Sequence, residues 1–252
     1  MNELEITRFP QLDYAASEAL NTLCTNLTFS GKNVKVIMVT SCDVGEGKSY
    51  IAANIVKTMA SLGKNVLLID ADLRRSKVAV SLGFRFLSRR AFGLTHYLAG
   101  MCEIDDVVYK TNIDGEFIVP VGQDVVNSLS LLNTPRLQSL FEELGEQMDY
   151  VIVDAPPIGV IIDAAEIAKF CDATLFVVSY NRIRRKELAS AKALIERTGC
   201  RVLGAVLNSV EMDSYASRRY YSKTYYKQYA NPDENASRKK KQDKKNHREA
   251  SS

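Results

Sequence analysis

Apolar residues in this chain fall into short, near-continuous runs separated by stretches of helical spacing. Val34–Thr40 (VKVIMVT), Asn65–Asp70 (NVLLID), Tyr150–Asp154 (YVIVD), Ala173–Ser179 (ATLFVVS) and Val202–Asn208 (VLGAVLN) have strand length and are rich in β-branched residues. Lys48–Leu62 places Ile51, Ile55, Met59 and Leu62 at helical intervals and stops at Gly63. Further amphipathic helices are predicted near Tyr14–Leu27, Pro135–Gln147, Asp163–Phe170 and Lys186–Thr198. Strands apolar on both faces, alternating with helices, predict an α/β fold: a central, mainly parallel sheet covered by helices on both faces. No internal repeat is visible.

After Asn208 the pattern stops. Tyr215–Tyr229 (YASRRYYSKTYYKQY) holds six of the chain's 12 tyrosines, interleaved with Arg and Lys. Asn231–Ser252 contains no large apolar residue and cannot offset the entropy of ordering, so it is expected to be disordered. The expected organisation is an N-terminal helical segment over 1–33, a main domain over 34–212, a tyrosine cluster over 213–230 and a basic tail over 231–252.

Composition narrows the class. The 252 residues, 46% hydrophobic, suit one large α/β domain and exclude a disordered, collagen-like or disulfide-scaffold protein. No run of 18 residues is free of charge, and the N-terminus carries Glu3 and Glu5 without an apolar segment. Neither a membrane span nor a signal peptide is expected, and the predicted location is the cytosol. Five cysteines (24, 42, 102, 171, 200) without a CxxC pair read as reduced thiols. With His96 and His247 as the only histidines, a two-histidine metal site or a histidine-based triad is not expected. The net charge of +3 is unevenly spread. Residues 211–252 carry 11 Lys/Arg and 6 Asp/Glu, or +5, against −2 for the rest, the mark of an interaction segment.

The chemistry concentrates at strand ends. Ser41–Ser49 reads SCDVGEGKS between a predicted strand and helix. Gly45 and Gly47 would let backbone N–H groups close around phosphate oxygens at the positive end of the helix. Lys48 would reach the β- and γ-phosphates and the Ser49 hydroxyl would ligate Mg²⁺, although Cys42 stands where the GxxxxGK[ST] pattern has its first Gly. Asp70 and Asp72, in IDADLR, point the same way at the carboxyl end of a strand, and Asp154 joins them from another. Three carboxylates beside a phosphate loop call for a cation, which Mg²⁺–nucleotide supplies. Asn208 ends a strand at the same edge, where its amide can read a purine or serve a turn. Cys42 fits either an oxidisable thiol or, better, a small residue tolerated beside phosphate, and His96 reads as a helix-surface or satisfied core residue.

SCDVGEGKS, LLIDADLR and VIVDAPP, in this order and followed by a Tyr-rich C-terminus, resemble the bacterial tyrosine kinases that govern capsule and exopolysaccharide assembly. The resemblance runs from about Leu12 to Tyr229. It implies a P-loop α/β fold of the kind shared with partition and septum-positioning ATPases. It implies ATP and Mg²⁺ as cofactors, with Gly45, Glu46, Gly47, Lys48, Ser49, Tyr50, Arg74 and Asn208 around the nucleotide. It also implies transfer of the γ-phosphate to Tyr215, Tyr220, Tyr221, Tyr225, Tyr226 and Tyr229 of a neighbouring copy. The implied partners are a transmembrane adaptor whose cytoplasmic tail activates the kinase at the inner membrane face, and a cognate tyrosine phosphatase. No nucleic acid is implied. The family packs subunits into a ring through Glu-x-x-Arg-x-x-Arg. Here Glu18 is followed by Asn21 and Cys24, so ring contact through that helix is expected to be weaker. Gly122–Leu132 lacks the prolines usual after the matching glycine and reads as loop drift.

In the expected mechanism Asp70 orients or deprotonates the acceptor hydroxyl, Ser49, Asp72 and Asp154 hold Mg²⁺, and Lys48 neutralises the transferring group. The roles of Asp70 and Asp72 can be exchanged on sequence grounds. Six phosphotyrosines would add roughly −9 to −12 charge to the basic tail, enough to switch its contacts. A nucleic-acid platform or a lipid anchor is the lesser reading of that cluster. The rival functions are a nucleotide-switched ATPase of the septum-positioning class, against which Asp43 replaces the signature lysine, and a silent ATP-binding scaffold for sugar-chain assembly.

Overall fold

The computed structural model describes residues 2–9, 11–31, 33–88 and 91–210. The tyrosine cluster and basic tail lie outside the described residues, as do the expectations attached to them. Among the described residues, Ala19–Ser209 together with the residues before Leu12 forms one compact unit, to which Leu12–Glu18 is not assigned. In that short stretch Asp13 opens a helix: its carboxylate accepts from Ala16 N at 2.7 Å and its carbonyl from Ser17 N at 3.0 Å.

The order of elements is β1 (Asn2–Ile6), α1 (Tyr14–Thr28), β2 (Val36–Ser41), α2 (Lys48–Ser61), β3 (Val66–Asp70), α3 (Val78–Leu82), β4 (Phe84–Phe86), α4 (Leu94–Leu98) and α5 (Ile104–Val107). Then follow β5 (Tyr109–Thr111), β6 (Glu116–Val119), α6 (Ser128–Leu132), α7 (Pro135–Gln147), β7 (Tyr150–Asp154), α8 (Asp163–Ala168), β8 (Ala173–Ser179), α9 (Arg185–Glu196) and β9 (Arg201–Asn208). Among these residues the strands form one sheet ordered β4-β1-β5-β6-β3-β7-β2-β8-β9, parallel from β6 through β9. Every residue of β2, β3 and β8 is buried, which is why these runs carry no polar alternation. Ile51, Ala52, Ala53, Ile55, Val56, Met59 and Ala60 make α2 apolar on most of its surface, so it is buried too. Leu62, read as part of its apolar stripe, lies past the helix end and is 56% exposed.

Two expectations are corrected at the sheet's edges. Residues 2–6, read as the start of a helical segment, form a strand that pairs in parallel with β5 and antiparallel with β4. The reason is a period of two: Leu4 and Ile6 point into the core and Glu3 and Glu5 away from it, a pattern too short to stand out from polar surroundings. β9, read as a doubly buried run, is the edge strand beyond β8 and is largely exposed or half-buried, Leu207 by 55%. Gly122–Leu132, read as drifting loop, ends in α6, and Ser128 at its start is fully buried.

Candidate active site

The site is built where β2, β3 and β7 end side by side. Register pairs Asp70 with Asp154 and Asp154 with Val39, so two carboxylates and the start of the glycine loop share one edge. Cross-strand bonds continue past the ladders: Ala71 N donates to Asp154 O at 2.9 Å, Ala155 N to Val39 O at 3.0 Å, and Thr40 Oγ1 to Pro156 O at 2.7 Å.

The glycine loop is organised by a residue inside it. Glu46 is buried, and its carboxylate accepts from Asp43 N at 2.8 Å and from Ser179 N, at the end of β8, at 3.0 Å. Gly45 and Gly47 adopt φ of 79° and 89°, the left-handed region where a side chain is strained. At Gly47 a Cβ would also lie 2.1 Å from Asn208 Nδ2, which donates to Glu46 O at 2.9 Å. The loop leads directly into α2, whose first N–H groups face the same edge. Tyr50, in the first turn, is 37% exposed, and its carbonyl accepts from Asn54 Nδ2 at 2.8 Å.

Lys48 Nζ stands 3.2 Å from Asp72 Oδ2, 3.9 Å from Asp154 Oδ1 and 3.5 Å from Ser49 Oγ. Burial works against the ammonium, but Asp154 and Asp72 outweigh it and raise the Lys48 pKa, so it stays charged. Asp70 and Asp154 are fully buried. Desolvation pushes Asp70 well above the ordinary carboxylate range; the charge of Asp154 adds to it, while a hydrogen bond from the Ser76 hydroxyl opposes it. Asp154 is likewise raised by burial, with Lys48 and Ser49 pulling the other way. Asp70 Oδ1 and both oxygens of Asp154 have no hydrogen-bond partner of ordinary geometry. Buried orphan carboxylate oxygens beside a hydroxyl fit a Mg²⁺ ion, which takes one or two carboxylates and completes its shell with substrate phosphates and water. Among the described residues no three acidic, His or Cys side chains form a cation cage by themselves, so the cation would need those other ligands.

The sequence-predicted residues are therefore not all in one place. Lys48, Ser49, Asp72 and Asp154 converge, with Asp70 behind them. Arg74, expected at the nucleotide, is engaged elsewhere: Nε and Nη2 donate to the Asp163 carboxylate at 2.9 and 3.3 Å, and Nε also to Ser128 Oγ at 2.8 Å. Ser128 in turn donates to Asp163. Sequence reading missed Ser76, Ser128, Asp163 and Arg182, whose guanidinium reaches the loop carbonyls of Val44 and Gly45. Only Arg182 carried a signal, as a cation in the turn after a strand that ends at the loop. Asp43 keeps the place of the septum-type lysine, its N–H bonded to Glu46.

A profile of the AAA domain matches residues 34–181, from the first site strand past the last. The tyrosine-protein kinase CpsD of Streptococcus pneumoniae is 38% identical over 208 residues, 82% of this chain and 90% of its own. The chain belongs to the bacterial protein-tyrosine kinases. The kinase domain of the Escherichia coli tyrosine kinase ETK superposes with a TM-score of 0.73 at 30% identity, covering 79% of this chain and 77% of that one. The chimerical protein CapA2B2 superposes with a TM-score of 0.72 at 28% identity, covering 82% and 92%.

In this kinase, Cys24, at a position where the ring helix would carry arginine, is fully buried with Sγ 3.9 Å from Ile55 O. That position faces the protein's own core. His96 is satisfied locally, accepting from Gly93 N at 3.1 Å. Among the described residues no helix is long and apolar enough to cross a membrane.

Proposed function

We propose that this kinase transfers the γ-phosphate of ATP to the tyrosines at 215, 220, 221, 225, 226 and 229 of another copy, and thereby regulates capsule or exopolysaccharide synthesis. The observation that carries the reading is Lys48 held between Asp72 and Asp154 at the mouth of the glycine loop. An ammonium so placed neutralises charge on a transferring phosphoryl group without having to move.

A bound Mg²⁺ would withdraw charge from the phosphate oxygens. Ser49, Asp154 and the orphan oxygen of Asp70 are the groups suited to hold it. The loop N–H groups and the start of α2 bind phosphate, and Asn208 meets the base edge. Burial favours exchanging the roles first expected of Asp70 and Asp72. The acceptor arrives from solvent, and Asp72 is 6% exposed whereas Asp70 is sealed and bonded to Ser76. In this reading the tyrosine oxygen bonds to the γ-phosphorus, its proton passes to Asp72, and the bond to ADP breaks. Arg74 supports the loop that carries Asp72 rather than touching nucleotide.

An adaptor with a transmembrane anchor would recruit and activate the kinase at the inner face of the membrane, and a tyrosine phosphatase would reset it. The likeness to the chimera CapA2B2 supports a fused or docked partner segment.

The test is phosphotyrosine mapping on protein isolated from its own cells, beside a Lys48→Met form expressed without the wild type. Phosphate on residues 215–229 in the first sample alone supports the kinase reading. An unmodified tail in both, with ATP still bound, overturns it in favour of a silent scaffold. Asp70→Asn and Asp72→Asn then separate the carboxylates: the base is the one whose loss abolishes transfer while nucleotide affinity is kept.

A further inference from the structure

Arg182 takes no part in the reading above, yet it contacts the glycine loop from outside through both ends of its guanidinium. Its Nη2 donates to Val44 O at 3.0 Å and its Nη1 to Gly45 O at 3.2 Å. Two successive carbonyls thus fill the two prongs of one planar guanidinium, a geometry that an ammonium cannot reproduce. A Cβ at Gly45 would stand 3.4 Å from Nη1, an ordinary contact, so the glycine there answers to its φ of 79° rather than to the arginine. The presenting turn is itself specialised. Asn181 adopts φ of 57°, rare for a residue with a side chain, and Arg182 N closes the turn onto Ser179 O at 3.3 Å. Ser179 N is the donor to Glu46. The turn after β8 therefore grips the loop twice, once through Glu46 and once through Arg182.

The consequence follows from peptide geometry. In a planar trans peptide the C=O of one residue and the N–H of the next point in opposite directions. Drawing the Val44 carbonyl toward Arg182 therefore aims the Gly45 N–H away from it, and drawing the Gly45 carbonyl does the same for the Glu46 N–H. Those N–H groups are the donors a phosphate-binding loop must present.

We propose that Arg182 is a positioning residue: a clasp that holds two peptide planes of the glycine loop with their N–H groups facing the phosphate site before nucleotide arrives. The inference rests on the reading of this loop as a nucleotide site. Arg182 acts through the loop and touches neither the base nor the reacting atoms.

The test is calorimetric titration of the full chain, with Mg²⁺ present, using ADP and, in competition with it, inorganic tripolyphosphate. The proteins are the wild type, Arg182→Ala and Arg182→Lys. For Arg182→Ala the dissociation constants of both ligands are expected to rise by the same factor, about tenfold for two exposed charge-assisted bonds. KM for ATP rises in step while kcat at saturating ATP is unchanged, and Arg182→Lys recovers only part of the loss. Unchanged affinity for both ligands in Arg182→Ala overturns the clasp. So does weakening of ADP alone, which would make Arg182 a base contact. A fall in kcat at saturation, or complete rescue by lysine, which would reduce its role to bare charge, also overturns it. A wild type that binds neither ligand overturns the nucleotide reading itself, a result distinct from all of these.

Discussion

Arg74 and Asp163 form a two-pronged ion pair, 2.9 and 3.3 Å, between the loop after β3 and the first residue of α8. The two ends are unequally placed: the Asp163 side chain is 1% exposed and that of Arg74 is 33% exposed. Removing the arginine strands a buried carboxylate, whereas neutralising the aspartate leaves a cation that water can reach. Arg74→Ala should therefore lower Tm by more than Asp163→Asn does. Adding Asp163→Asn to Arg74→Ala should raise Tm again, a non-additivity that identifies the pair. Equal and additive losses in a thermal melt would refute this account.

Glu46 makes a parallel prediction for the glycine loop. Its two oxygens serve the N–H groups of Asp43 and Ser179. Glu46→Ala orphans both donors and should cost about 2 kcal/mol in a denaturant titration, as a shift in midpoint at constant slope. Glu46→Gln retains one acceptor oxygen and should lose roughly half as much. A midpoint for Glu46→Gln equal to that of the wild type would mean that the side chain matters only for its volume.

The central strands and their polar ends were legible because each obeys a local rule. β2, β3, β7 and β8 are unbroken apolar runs, and the residues that break them, Asp70 and Asp154, stand at the last position of their strands. Lys48 and Ser49 were legible from spacing alone. The rest depends on where separate segments meet. Asp163 looked like a helix-start carboxylate, and only the fold brings it to Arg74 across 89 residues of chain. Ser128 sat in a segment without an apolar period. β1 failed for a different reason, since five residues with two buried positions give too little alternation to read. β9 was misjudged because hydropathy reports what a strand can bury, not whether a neighbour is present to bury it.

The thiols should be unreactive in the native state. Burial pushes Cys24 up to about 12, and it pushes Cys42 up to about 11 with the help of the negative charges of Glu46, Glu187 and Asp43. Reaction requires thiolate, so at pH 8 Cys42 should label with a thiol reagent far more slowly than a free cysteine, despite its place in the glycine loop. Denaturation should expose all five cysteines to rapid labelling. A fast-labelling Cys42 in the folded kinase would return it to the class of oxidisable residues.

Glu116 supplies the clearest pH dependence of stability. It opens β6, is 2% exposed, has an Oε2 with no hydrogen-bond partner, and is raised by burial to about 7, with Lys57 only partly offsetting the shift. A carboxyl whose folded pKa exceeds its unfolded value of 4.5 favours the folded state while protonated. Its contribution is complete below pH 4.5, fades as pH rises through the window to about 7, and is flat beyond. Glu116→Gln keeps the shape and removes the titration. The variant should match the wild type at the acid end of that window and gain on it steadily as pH rises, by up to about 3 kcal/mol at neutrality, since one pKa unit corresponds to about 1.4 kcal/mol. Asp70 and Asp154, also raised by burial, act in the same direction, but they are common to both proteins and cancel in the difference. Denaturant titrations of the two proteins between pH 4.5 and 8 decide the matter. A stability difference that does not change with pH would show that Glu116 is ionised throughout and that Lys57 satisfies it.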